Sequence, residues 1–191
     1  LPAAIWVVTS RLWREAVACE DPGAARVHVL STLTFVLAYL QLVAGALLRH
    51  IPVQAEPETF RVYVWFHLLG ATLLVLHGGL LAVRVWTRHA QRRALVRPAT
   101  LLVGLLGLQV LLGLGTWMTK YAWPMGNERY RWIAGHLIEA DGLAQSLTIT
   151  GHVAVGSLIL ATSVALTLRG IRLLSAEKAG ERLHASWGAT T

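Results

Sequence analysis

Apolar residues gather along this chain in four stretches, at about Val27 to Leu48, Val62 to Trp86, Ala99 to Met118 and Leu147 to Leu168. Each meets the roughly 20 residues that a helix needs to cross the hydrocarbon core of a bilayer. Lipid offers no partner to a backbone amide, so each stretch is expected to be helical. Mostly short connections then predict an all-α fold, an integral membrane four-helix bundle. The longest connection, Tyr121 to Ser146 between the third and fourth spans, mixes Trp123, Tyr130, Trp132, Ile133, Leu137 and Ile138 with polar residues. That pattern predicts a short surface helix lying on the membrane and covering whatever the bundle holds.

The flanks divide the chain further. Leu1 to Thr9 (LPAAIWVVT) is apolar but too short to span, and no methionine precedes Met118. Residues 1–25 therefore read as the end of a preceding transmembrane helix plus a cytoplasmic linker, with further helices expected upstream. Residues 26–172 form the four-helix domain, and 173–191 a polar cytoplasmic tail. No charged segment precedes the first apolar run, so it does not resemble a secretory signal.

Composition agrees with a membrane protein: of 191 residues 55% are hydrophobic and 14% charged, with a mean hydropathy of +0.54. A net charge of +7 would suggest nucleic acid for a soluble domain, but here the basic residues fall between the spans, which excludes that partner in favour of the lipid bilayer. Twelve of the Lys and Arg residues lie on one side (Arg11, Arg14, Arg26; Arg84, Arg88, Arg92, Arg93, Arg97; Arg169, Arg172, Lys178, Arg182) and five on the other (Arg49, Arg61, Lys120, Arg129, Arg131). The richer side is expected to be cytoplasmic, which puts Trp65, Trp117 and Trp123 at the outer interface and Trp86 at the inner one. Cys19 is the only cysteine, so an intrachain disulfide and a thiol redox pair are excluded.

Two histidines stand out against this background. A ligand-capable side chain within a span is costly and marks a candidate site. The second and fourth helices run in the same direction, and His67 follows Arg61 by six residues while His152 follows Gln145 by seven. Each is thus about 10 Å inside its polar boundary, and the two are level. Facing histidines on two helices of a bundle can grip a haem iron from both sides. Gly70 and Ala71 one turn after His67, and Gly156 one turn after His152, keep both faces small beside a flat ring. Spacing alone leaves a second reading open, in which small residues let the helices pack and each histidine bonds a neighbouring carbonyl.

A weak internal repeat relates the two hairpins: Leu40, Gln41 and Gly45 match Leu108, Gln109 and Gly113. Rough twofold symmetry would set the histidines opposite each other. Gln41 and Gln109, polar within spans, are expected to bond across the bundle in a structural role.

The strings LQLVAGALLRH, FHLLGATLLVLH, LLGLQVLLGLGTWMTKYAWP and ITGHVAVGSLILATSVALTLR, in that order, resemble the second four-helix half of bacterial haem A synthase-like proteins, over about Arg26 to Arg172. In that family two four-helix halves each carry a histidine pair on their second and fourth helices, and together they oxidise a methyl group of haem O to the formyl group of haem A. The resemblance implies that His67 and His152 ligate a haem, that haem O is the substrate of the complete protein, and that it serves cytochrome oxidase assembly in the bacterial cytoplasmic membrane. It also implies, as partners, a second copy of the chain or haem O synthase. The substrate-oxidising half of the family resembles the pattern Glu, two residues, His, Arg. Here Val64 and Leu68 stand in the outer two places. This chain is therefore expected to hold a permanent haem b that passes electrons. Alternatives are an electron-transfer cytochrome without its own substrate, and a haem-free assembly or scaffold module of the same fold.

The remaining candidates carry less. His77, about 15 Å deeper than His67, is level with Thr162 on the fourth helix rather than with another histidine and reads as a hydrogen-bonded interior residue. Arg49, His50, Arg61 and Lys120 sit at the outer boundary, where they either pair with haem propionates or snorkel to lipid headgroups. His89 in RHAQRRALVR reads as part of a solvated loop, His136 has no level partner, and His184 lies in the tail.

Overall fold

The computed structural model describes residues 2–14, 19–52, 55–121 and 142–175. Two short helices, α1 (Pro2–Thr9) and α2 (Arg11–Arg14), precede four long ones: α3 (Ala24–Arg49), α4 (Pro57–Arg88), α5 (Arg93–Tyr121) and α6 (Leu143–Leu173). All four are long and apolar enough to cross a membrane, and the chain is an integral membrane protein with an all-α four-helix bundle. Hydropathy marks only the hydrocarbon-facing part of each helix. The helices themselves run on into charged turns, so that α4 has 32 residues and is about 48 Å long against a core of about 30 Å.

The helix ends follow from local chemistry. Pro57 opens α4 at a position where its missing N–H costs nothing, and Glu58 in the first turn suits the positive end of the helix dipole. Arg49 and Arg88 sit in the last turns of α3 and α4, at their negative ends.

Buried positions recur at alternating steps of three and four. Ala24, Val27, Ser31, Thr34 and Ala38 line α3; Phe60, Val64, Leu74, Leu81 and Val85 line α4; Leu95, Ala99, Leu102 and Leu106 line α5; Val155, Ile159, Thr162 and Leu166 line α6. This is the narrow seam of helices packed nearly parallel or antiparallel. The buried hydroxyls of Ser31 and Thr34 donate to carbonyls of their own helix, His28 O at 3.1 Å and Leu30 O at 2.7 Å. Helix α3 packs on α4 and α6, and α5 packs on the same two. Helices α4 and α6 thus stand diagonally across the bundle.

At the Arg-rich end the segments before α3 and after α6 meet. β1 (Cys19–Glu20) pairs in parallel with β2 (Leu174–Ser175), a contact between distant segments that periodicity does not announce. Beside it the Asp21 carboxylate accepts from the Gly23 N–H at 2.6 Å and reaches His89 at the end of α4, Nδ1 to Oδ2 at 3.3 Å. His89 is 5% exposed, so its ring is buried at the bundle end, while Arg88, Ala90, Gln91 and Arg93 around it are exposed, as the reading of the segment as a solvated loop expects. The expected surface helix falls largely on residues 122–141, which lie outside the described residues, as do His136 and His184.

Candidate functional site

Continuing the seam away from the Arg-rich end, the same steps of three and four lead to Gln41 and Gly45 on α3, His67 and Ala71 on α4, Gln109 and Gly113 on α5, and Thr148 and His152 on α6. No apolar side chain larger than alanine occupies these positions. Beyond them Phe60 and Val64 close the bundle with Leu48, Ile51 and Trp117.

His67 and His152 meet in this layer. Their ring centres are 6.3 Å apart and the ring planes are inclined at 62°. Both are half-buried and turned toward the bundle interior rather than toward lipid. Two imidazoles bound to one metal ion from opposite sides hold their ring centres about 6 Å apart, given metal–nitrogen bonds of about 2 Å and about 1 Å from each nitrogen to its ring centre. The observed separation is the one such a pair needs.

Each ring rests on a glycine of the preceding helix. A Cβ at Gly45 would lie 3.3 Å from His67 Cε1, and one at Gly113 would lie 3.1 Å from His152 Cε1. Each ring also meets a glutamine from that helix: Gln41 Nε2 is 3.0 Å from His67 Nδ1 and donates to the His67 carbonyl at 2.9 Å, while Gln109 Nε2 is 3.3 Å from His152 Nε2. The glutamine amides in turn lie over the glycines that follow the histidines, Gln41 over Gly70 and Gln109 over Gly156. The α3–α4 and α5–α6 hairpins thus build the same Gln, Gly and His contact twice. The repeat in the sequence marks these residues, but their partner is the ring of the next helix, a relation that spacings of 26 and 43 residues do not disclose.

Three polar atoms of this layer are buried without a hydrogen-bond partner among the described residues: Gln41 Oε1, Gln109 Oε1 and His152 Nδ1. Buried polar groups are seldom left unsatisfied, and in a membrane interior the cost is higher still. The orphaned imidazole nitrogen and the glycine cradles fit a ligand that coordinates between the rings. Two histidines suit an iron whose remaining positions are filled by a tetrapyrrole. They do not complete a zinc site, which needs about four donors, and no third His, Cys, Asp or Glu joins them among the described residues.

The other candidates lie apart. Arg61 Nη2 is paired with Glu58 Oε1 at 2.7 Å along the first turn of α4. Arg49 and His50 are exposed at the end of α3, where the His50 N–H closes the last turn on Ala46 O at 3.1 Å. His77 Nδ1 lies 2.9 Å from the Leu73 carbonyl of its own helix, hydrogen-bonded as expected but half-buried beside the seam rather than in the interior. His28, which no sequence signal singles out, joins α3 to α6 through Nε2 and the Gly170 carbonyl at 3.1 Å.

No protein family, curated protein or solved structure matches the chain. The chemistry of the site must therefore be argued from its own residues.

Proposed function

We propose that the chain is a haem b-binding membrane redox module, in which His67 and His152 would hold the iron. The observation that carries this reading is the ring pair at 6.3 Å, delivered by diagonal helices and backed twice by the same glycine and glutamine. When bound, the haem supplies one-electron chemistry at a potential set by its protein surroundings.

The chain's own residues have defined tasks in this proposal. Helices α4 and α6 fix the two imidazoles at one depth. Gly45 and Gly113 let the rings sit flush against the neighbouring helix, which limits their rotation. Gln41 and Gln109 pack their amides against the rings, with Nε2 at 3.0 Å from His67 Nδ1 and 3.3 Å from His152 Nε2, and so hold the ring orientation. The exposed Trp65, Phe66 and Leu69 on α4 face lipid and keep water from the layer.

The same geometry favours electron transfer over substrate oxidation within this unit. Among the described residues the acids are Glu20, Asp21, Glu56 and Glu58, all at bundle ends. Among the described residues no carboxylate stands beside the histidines to take a proton from a substrate. We therefore assign the chain to the haem-holding half of a haem A synthase-like oxidoreductase, with haem O processed by a second four-helix unit in a bacterial cytoplasmic membrane. An electron-transfer cytochrome with no substrate of its own fits the same described residues, whose acids all lie at bundle ends.

Purification of the full chain from cells supplied with haem precursors tests the proposal. About one haem per chain, with a reduced b-type absorption band, is expected. A correctly helical protein that carries no pigment and takes up none from added haemin would refute it. Supplying the chain with and without a haem O-oxidising partner, and measuring haem A, separates the synthase half from a free-standing cytochrome.

A further inference from the structure

Pro98 interrupts the ladder of α5, because its nitrogen carries no hydrogen to give to the carbonyl of Ala94. Arg169 of α6 uses that acceptor, Nη1 to Ala94 O at 3.2 Å. This link ties α5 to α6 at the Arg-rich end. Next to it the two helices frame a groove of about 290 Å³.

The groove changes character along its length. Leu101 and Leu158 form its walls, and the small side chains of Ala161 and Ala165 leave its floor open. Both leucines are more than half exposed, so the slot opens on the face that lipid covers. Its head is basic. Arg97 lines it there, exposed and with no carboxylate partner among the described residues. Neither α5 nor α6 contains a single Asp or Glu, while Arg93, Arg97, Arg169 and Arg172 gather at this end.

A positive mouth above an apolar slot, at the depth where a membrane helix leaves the hydrocarbon, complements a molecule with an anionic head and a long apolar chain. We propose that this groove is a binding site for an anionic phospholipid of the leaflet at the Arg-rich end, with the phosphate against Arg97 and one acyl chain along Leu101, Leu158 and Ala161. The site is remote from the histidine layer and stands independently of haem binding.

The full chain reconstituted in phosphatidylcholine vesicles, with trace spin-labelled phosphatidylglycerol or spin-labelled phosphatidylcholine, tests this through the motionally restricted part of the label spectrum. Phosphatidylglycerol is expected to be retained in preference to phosphatidylcholine, and Arg97→Gln to reduce that preference about fivefold. Arg49→Gln, at the opposite end, should leave it unchanged. Ala161→Phe, which fills the slot from a half-buried position, should remove the restricted phosphatidylglycerol while circular dichroism shows the same helix content. Equal retention of the two lipids, an unchanged preference in Arg97→Gln, or displacement by soluble glycerol phosphate alone would each overturn the proposal, the last by showing a site for free phosphate rather than for a lipid.

Discussion

Toward the Arg-rich end the bundle seam is filled by Leu81, Leu95, Leu102 and Leu166, each 0% exposed; further along the same helices it is filled by Gln41, Gly45, His67, Gln109, Gly113 and His152. The spacing does not change between the two regions, only the chemistry. Helix association within lipid depends on close packing and on interhelical hydrogen bonds, since burial from water supplies no driving force there. The leucine seam meets that requirement with close-packed side chains, and the orphaned atoms near it, Arg84 Nε and His89 Nε2, lie at the bundle end. The histidine layer instead sets orphaned polar atoms beside glycine cradles within the seam, which is the contrast the proposed cofactor layer calls for.

On the leucine side Leu102→Ala should cost about 2–3 kcal/mol of stability through the cavity and the lost packing contacts, read by denaturant titration in detergent micelles, whereas Leu101→Ala on the lipid-facing side should cost little. Equal losses would mean that the seam is not where the bundle is held together. In the histidine layer, Gly113→Leu forces a side chain into the place of the His152 ring and should lower haem affinity on the order of tenfold to a hundredfold, with helix content retained.

Smaller effects sharpen the same contrast. Gln109→Leu removes the partner of His152 and should weaken haem retention about tenfold, while the identical change at Thr100, outside the layer, should not.

At the Arg-rich end, burial together with the nearby Arg92 and Arg84 holds His89 below its ordinary pKa, with Asp21 opposing them. A depressed pKa means that the unfolded chain binds the proton more readily. The stability that neutral His89 contributes is thus fully present above about pH 6.5 and falls as the pH drops below it. His89→Gln should flatten that part of a stability profile relative to the parent protein, and an unchanged slope would show that the folded end tolerates the charged ring.

Much of this architecture is legible in the residues because lipid imposes strict rules. The spans and the common depth of His67 and His152 follow from apolar length and helical rise. What stays hidden are contacts between residues far apart in the chain. Gln41 and Gln109 are visible as polar residues within spans, yet nothing in their spacing says that each meets the imidazole of the next helix. His89 sits in an Arg-rich stretch whose charge suggests solvent, and its partner Asp21 precedes it in the chain by two transmembrane helices. The pairing of Cys19–Glu20 with Leu174–Ser175 has no periodicity to reveal it, being two residues long on each side.

The central claim is that the two facing imidazoles grip one iron. Low-temperature electron paramagnetic resonance of the oxidised full chain tests it most directly, alongside His67→Ala and His152→Ala proteins of unchanged helicity. A low-spin bis-histidine signal is expected in the parent protein, with its loss in each variant. The same low-spin signal surviving in either variant would contradict it.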